Sequence, residues 1–175
     1  FISVDCGISS LNFLKKVKKE GIKVIVIDHH IFNPDFLPEG NIYINPQLYN
    51  CLPEIKFLSA TALAQKFTKG LSYSIPVEID ENLELVAIAT IADNCPLIGE
   101  NRKIVKMGLE KIFLTEIKGL KVLIDELNIS EKNLIRDLKM KLIPKLNSPG
   151  RFGKPEIILD LLLSEEVEKI IKIIK

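Results

Sequence analysis

The tripeptide Asp28-His29-His30 stands directly after a hydrophobic run, Lys23 to Ile27 (KVIVI). A carboxylate and two imidazoles in succession offer three groups able to bind a metal ion. A single buried histidine is ordinarily a hydrogen-bonded core residue, but two adjacent ones behind an aspartate favour a functional reading. Carboxylate oxygen mixed with imidazole suits hard or borderline divalent ions, Mn²⁺ and Mg²⁺ among them, whereas zinc calls for more sulfur or nitrogen. Two further aspartates end apolar runs: Asp5 follows Phe1 to Val4, and Asp93 follows Glu81 to Ala92. A charge after so apolar a run needs a partner, because an unpaired buried carboxylate is costly. A metal would supply one; for Asp93 taken alone, capping a helix-terminal turn before Pro96 serves equally well. Cys6 and Cys95 each adjoin a candidate ligand, which raises a mixed cysteine and histidine zinc site. The Pro-Cys-x-x-Cys run with an upstream His-x-Glu of zinc deaminases is absent, and both cysteines are read as small buried residues.

These groups need a frame that brings them together. Phe1 to Val4 and Lys23 to Ile27 read as buried strands. Between them, Ser9 or Ser10 caps a helix with Leu11, Phe13, Leu14 and Val17 mostly on one side, four lysines around the other and Gly21 as its stop. Such a crossover is right-handed and its strands parallel, so Asp5 and Asp28 arrive at the same carboxyl edge, where open α/β folds place ligands. Side chains alternate along an extended backbone, so only one of His29 and His30 is expected to reach the ion that Asp5 reaches, the other being left for substrate.

Asn41 to Asn45 predicts a third strand after a connecting loop, Phe32 to Gly40, with two prolines. Helices are predicted over Ser59 to Leu71, Glu81 to Ala92, Asn101 to Leu114, Leu120 to Leu127 and Glu131 to Leu142, the last capped by Ser130. The second of these is apolar almost all round and therefore buried. Asn147 to Pro155 (NSPGRFGKP) reads as a turn-rich break, and Glu156 to Lys175 as one or two helices. The fold class is α/β: a parallel sheet flanked by helices, followed by a mostly helical portion.

At 175 residues, 47% hydrophobic and 27% charged, the chain has globular composition and length for one real core. Its longest apolar stretches, Val24 to Ile27 and Leu85 to Ala92, fall far short of the roughly 20 residues a membrane span needs, so no membrane association is expected. No signal peptide opens the chain, and a first residue of Phe1 suggests a start inside a longer protein. Three cysteines without a CxxC pair argue against a disulfide framework and fit a reducing cytoplasm. Net charge is uneven: Asn101 to Pro155 carries thirteen Lys and Arg against six Asp and Glu, the remainder eleven against seventeen. That asymmetry permits a polyanionic partner, although lysines on solvated helix faces account for it on charge alone.

Val4-Asp5-Cys6-Gly7, Asp28-His29-His30 and Ala89-Thr90-Ile91-Ala92-Asp93 occur in the order and context of the later motifs of the DHH phosphoesterases. The chain resembles that family of divalent-metal enzymes, which cleave phosphoester or phosphoanhydride bonds. Pro96-Leu97 followed by Glu100-Asn101-Arg102 and Gly108-Leu109, Asn45-Pro46, and Leu146 to Arg151 (LNSPGR) resemble the RecJ branch of single-strand-specific 5′ to 3′ exonucleases of DNA repair and recombination. The resemblance implies roles by position. Asp5 would be a ligand shared between two ions, Mn²⁺ or Mg²⁺, with His29 and Asp93 ligands of one of them. Asp28 would orient that histidine and His30 approach the phosphate, both counted as catalytic. Arg151, with Gly150 and Asn147, would hold substrate phosphate; without the resemblance, Arg151 reads as an exposed turn arginine. Arg102 matches a signature without an assigned role, and Ser148-Pro149 departs from the small residues usual before the Gly-Arg pair.

The family's first motif, an aspartate pair, would precede Phe1, and its second domain would follow Lys175. The expected domains are therefore 1–155, a partial catalytic domain, and 156–175, the start of a helix leading to a second domain; such a fragment is expected to be weak or inactive alone. The implied mechanism is metal-assisted hydrolysis of single-stranded nucleic acid, DNA above all, in which two ions clamp the scissile phosphate and His30 helps the leaving group depart. Protein partners are not indicated. Rival readings are another DHH activity (nanoRNase, cyclic-dinucleotide phosphodiesterase or pyrophosphatase), which leaves the Glu-Asn-Arg and Ser-Pro-Gly-Arg segments unexplained, and a non-catalytic replication scaffold, which would have lost ligands that are all present here.

Overall fold

The computed structural model describes residues 1–175 apart from 34, 36, 38–40, 49, 50, 77, 78 and 175. Three short strands, β1 (Ile2–Val4), β2 (Ile25–Ile27) and β3 (Ile42–Ile44), pair in parallel in the order β1-β2-β3. Val4 lies opposite Ile27, and Ile27 opposite Ile44. All three strands thus end level with one another. Alternation along the central strand explains its unbroken apolar sequence. Val24 and Val26 join Ile8 and Leu14 on one side, while Ile27 joins Leu58, Ala62, Leu63, Val86 and Ile104 on the other. Helices cover both faces, as the expected α/β class requires.

β1 differs from its expected burial. Ser3 is buried, but Ile2 and Val4, whose side chains alternate to the other face of the strand, are exposed. Helix α1 (Leu11–Lys19) buries Leu14 and leaves Phe13 exposed, its ring edge against Phe1. Ser10 occupies the capping position without a side-chain hydrogen bond. Gly21, at φ +72°, ends the helix as its sequence suggests, its N–H donating to Lys18 O and that of Ile22 to Val17 O. Of the loop Phe32 to Gly40, both prolines and several neighbours lie outside the described residues.

A short α2 (Pro53–Lys56), unanticipated from sequence, precedes α3 (Ala60–Ser72). Ser59 caps α3, its hydroxyl accepting the Ala62 N–H. Helix α4 (Leu83–Ala92) is buried on almost every side, including Thr90, whose hydroxyl donates to Val86 O. It begins two residues later than expected, with Asn82 in a left-handed conformation before it.

The chain packs as two compact units, Phe1–Lys106 and Met107–Lys175, and α5 (Gly99–Lys111) runs through the division. Residues 155 and 156 fall inside the second unit. That unit contains a 3₁₀ turn (Ile112–Leu114), α6 (Lys118–Glu126), α7 (Leu134–Asp137), α8 (Ile143–Arg151), α9 (Glu156–Leu163) and α10 (Val167–Ile174). The helix expected over Glu131 to Leu142 is a 3₁₀ turn, α7 and a π turn over Leu138–Leu142, followed without a break by α8. Pro144 would thrust its ring at the Met140 carbonyl in a regular α-helix, and the widened π turn lies where that clash would fall. Ser130 does not cap with its side chain: its N–H and hydroxyl both donate to Asp137, at 3.1 and 3.3 Å.

The expected break over Asn147 to Pro155 is half helix. α8 continues through Ser148, Pro149 and Gly150 to Arg151, and only then turns. Gly153, at φ +71°, donates to Gly150 O, and Lys154 donates to Pro149 O. This paired bonding ends a helix at a left-handed glycine, and Pro155 follows because it cannot continue one. Gly150 and Arg151 are therefore helical residues, not members of the turn-rich break. Among the described residues no helix is long and apolar enough to cross a membrane.

Candidate metal centre

The carboxyl ends of β1 and β2 deliver the first two groups. Asp5 N–H donates to Ile27 O and Asp28 N–H to Ile44 O, so each aspartate is the first residue beyond its strand and remains tied to the neighbouring one. Asp5 has φ +61°, in the left-handed region that short polar side chains tolerate. Gly7 has φ +108°, and a Cβ there would meet Ser3 Oγ at 2.9 Å, so the turn out of β1 requires glycine. The third group comes from the end of α4. Asp93 is its last half-helical residue; Asn94, at φ +52°, donates to Ile91 O, and Cys95 donates to Thr90 O. This left-handed ending turns Asp93 and Cys95 to the same place.

There the three expected ligands meet. His29 Nε2 lies 3.3 Å from Asp5 Oδ1 and 3.2 Å from Asp93 Oδ2. Both contacts are close in distance, yet neither oxygen stands where an N–H at Nε2 would point, and this buried nitrogen has no hydrogen-bond partner among the described residues. A buried unpartnered nitrogen flanked by two carboxylates is an arrangement with an excess of acceptors, and a cation resolves it. The carboxyl end of α4 adds its partial negative charge. Partial burial pushes the Asp5 carboxyl above its ordinary value, and the Asp93 and Asp28 carboxylates add to this against the pull of His29 and His30. The donor set, two carboxylates and an imidazole, fits Mn²⁺ or Mg²⁺. Asp93 is less enclosed than its apolar approach suggests: its side chain is 41% exposed, because the helix ends at the surface.

Asp28 is the buried anchor of this edge, 1% exposed. One carboxylate oxygen accepts the N–H groups of His29 (2.8 Å) and His30 (3.2 Å) and faces His30 Nδ1 at 2.6 Å; the other accepts the Ile8 N–H at 3.2 Å. Burial works to raise its pKa, but the bonds from the His30 ring and the three backbone donors outweigh it, and the carboxyl sits below its ordinary value. The expectation that Asp28 orients the ring of His29 is thus corrected: it holds His29 by the backbone and orients the ring of His30. The hydrogen bond its ring donates to Asp28 also raises the His30 pKa.

The reason expected for the division between the histidines does not hold. Strand β2 ends at Ile27, and the backbone then turns around the Asp28 carboxylate, so alternation no longer applies. The two rings lie edge to face, 4.7 Å between centres, and both histidines have donor atoms within 4.8 Å of Asp5.

Sequence reasoning left Asn45 without a role. It is 1% exposed, donates to His30 O at 3.0 Å and accepts the Gln47 N–H at 2.8 Å, holding the histidine loop from β3. A polar residue closing an apolar strand is the signal that marks it. Asn101, fully buried, donates to Phe57 O and Pro96 O and so ties the turn beyond Asp93 to the start of α5.

The cysteines are not the small buried residues expected. Cys6 is exposed, since the turn at Gly7 carries it outward, and Cys95 is half-buried with its Sγ 3.5 Å from Asp93 Oδ2. Burial, with the Asp93 charge beside it, pushes the Cys95 thiol up to about 12. Asn147, Gly150 and Arg151 lie in the second unit on the last turns of α8, all exposed. Their spacing places them on one helical face.

The profile of the DHH family, N-terminal domain, matches residues 1–90. The chain is 37% identical over 167 residues to the single-stranded-DNA-specific exonuclease RecJ of Bacillus subtilis, an alignment covering 94% of this chain and 21% of that protein. It is 33% identical to RecJ of Thermus thermophilus, over 95% of this chain and 24% of the relative, and 32% identical to RecJ of Escherichia coli, over 95% and 31%. A crystal structure of exonuclease RecJ bound to manganese matches 99% of this chain and 44% of its own with a TM-score of 0.79 at 29% identity. The structure of RecJ in complex with Mn²⁺ from Thermus thermophilus matches with a TM-score of 0.75 at 30% identity, over 99% of this chain and 26% of that one. The chain thus spans less than a third of the length of these curated relatives. With the strand ends, the histidine pair and the end of α4 in the expected order, and more than half its length matched by the profile, the chain belongs to the DHH family.

Proposed function

We propose that this chain is part of the catalytic core of a RecJ-like nuclease that hydrolyses phosphodiester bonds of single-stranded DNA from the 5′ end, in DNA repair and recombination in the cytoplasm. One observation carries the reading: the buried, unpartnered His29 Nε2 between the Asp5 and Asp93 carboxylates. The names of the relatives, single-stranded-DNA-specific exonucleases, support the substrate, and the manganese and magnesium held in RecJ crystal structures support the cofactor. Residues 1–155 are read as the catalytic part and 156–175 as its helical extension.

Asp5, His29 and Asp93 would hold the ion, and Asp5 would share a second. When bound, Mn²⁺ or Mg²⁺ supplies Lewis-acid polarisation of the phosphoryl group and acidifies water. Asp28 fixes His30 Nδ1 and leaves the rest of that ring, 58% exposed, facing solvent at the site. The raised pKa keeps His30 protonated to higher pH, suited to hydrogen-bonding a phosphoryl oxygen or passing a proton to the leaving oxygen. Arg151 offers a planar fork for phosphate, supported by Gly150 and Asn147 on the same helical face.

The test is Mn²⁺ binding, followed by nucleotide release from single-stranded DNA with Mn²⁺ or Mg²⁺ by the complete protein that carries this chain. Asp93→Ala is expected to abolish most of both. Activity persisting in excess chelator, or Mn²⁺ affinity indifferent to Asp93→Ala, would overturn the proposal.

A further inference from the structure

Cys95 shares the place where His29 and Asp93 meet. A His29 ring nitrogen, an Asp93 carboxylate oxygen and Cys95 Sγ all lie within 4.8 Å of one another. Two of the separations are already short: 3.2 Å from His29 Nε2 to Asp93 Oδ2, and 3.5 Å from Cys95 Sγ to the same oxygen. Tetrahedral coordination with bonds of about 2.0–2.3 Å places ligand atoms roughly 3.3–3.8 Å apart, so these spacings need little adjustment. The backbone supports the grouping independently of the side chains. The left-handed Asn94 and the Cys95 N–H bond to Thr90 O fix Cys95 to the rigid, buried end of α4. The third member, His29 Nε2, is buried and without a hydrogen-bond partner.

We propose that His29, Asp93 and Cys95 form a nitrogen–oxygen–sulfur seat for a borderline divalent cation such as Zn²⁺, overlapping the place proposed for Mn²⁺ or Mg²⁺. The inference rests on the reading that His29 and Asp93 face a cation, and it adds the sulfur. Thiolate is a soft ligand that strengthens binding of Zn²⁺ or Co²⁺ far more than that of the hard ions, which take oxygen. Binding releases the thiol proton to solvent and leaves the fourth position open. Because the two seats share His29 and Asp93, Zn²⁺ and Mn²⁺ compete, and Zn²⁺ is an inhibitor with respect to Mn²⁺.

Titration of the full 175-residue chain with Co²⁺ reads sulfur coordination directly, as a near-ultraviolet sulfur-to-cobalt charge-transfer band. The band is expected in wild type and in Cys6→Ser, and absent in Cys95→Ser. Zn²⁺ should abolish it in wild type. Zn²⁺ affinity should fall by more than about tenfold in Cys95→Ser, a loss that even an outer partner of a metal site produces, while Mn²⁺ affinity, measured by electron paramagnetic resonance, stays within about twofold. If Mn²⁺ binds and depends on His29 but wild type shows no thiolate band, or the band survives Cys95→Ser, the sulfur seat is refuted and the hydrolase reading stands. If no Mn²⁺ binding sensitive to His29→Ala is found, both fall together. The wild-type band needs no variant, so misfolding of a mutant cannot rescue the proposal.

Discussion

Asp28 faces four donors with two oxygens, and no other residue type of its size does this: asparagine turned either way sets an N–H against an N–H. Asp28→Asn should therefore leave the sheet paired but release the His30 ring, lowering nucleotide release by about 10- to 100-fold, the usual cost of losing a group that orients another. The same variant should lower the His30 pKa, read by NMR titration of the ring; an unchanged value would contradict the hydrogen bond. The sign follows from linkage. A folded pKa raised above the unfolded value of about 6.5 gives stability that is full below that pH and is lost as pH rises through the folded value. At this scale the arrival of Asp5 and the histidine pair at one edge was legible, because Asp5 and Asp28 close apolar runs and a parallel crossover brings strand ends together, whereas the choice of His29 over His30 came from the family resemblance. The partner of Asp28 was not legible. Alternation predicts side-chain direction only within a strand, and β2 stops at Ile27, short of both His29 and His30.

In the second unit, one helix–helix contact leaves no room for a side chain. Gly119 in α6 packs against α9 so closely that a Cβ would stand 1.9 Å from the Leu161 carbonyl oxygen. Gly119→Ala should cost about 1–3 kcal/mol or more as an overpacking defect, measured by urea unfolding; a loss within about 0.5 kcal/mol would show that the helices part easily. The turn between α6 and α7 depends instead on Asp137, which takes the Ser130 N–H and hydroxyl and pairs with Lys141 at 3.1 Å. The backbone donor first, then Lys141, hold its carboxyl below the ordinary range. Its contribution is thus present above the unfolded value of about 3.9 and is lost as pH falls through the lower folded value. Asp137→Asn should lower the urea midpoint at neutral pH, with the gap to wild type closing below about pH 4; a gap independent of pH would exclude ionisation as its source. Helices marked by amphipathic spacing, α3 and α6 among them, were legible within a residue or two. α8 was not, because proline and glycine are counted as breakers although Pro149 supplies a helical φ and Gly150 needs no unusual one.

Across the whole molecule the positive surplus of Asn101 to Pro155 includes Arg151, at the exposed end of α8. If that arginine holds a phosphate of the strand, Arg151→Lys should weaken single-strand binding by losing the planar fork, and Arg151→Ala should also make its salt dependence shallower by up to about 0.7. Unchanged affinity and slope would leave Arg151 as a solvated surface residue. No distance along the sequence hints at such a contact, whereas the family resemblance does. The first unit has a consequence in time as well as in space. Asp5 and Asp93 come from opposite ends of that unit, and they approach His29 only when parallel strands separated by a helix have paired and α4 has docked. Contacts so remote in sequence form late, after the entropy of closing long loops has been met. A nascent chain therefore carries Asp28-His29-His30 well before it carries a working cluster, and the appearance of cation affinity during refolding should trail the appearance of helix.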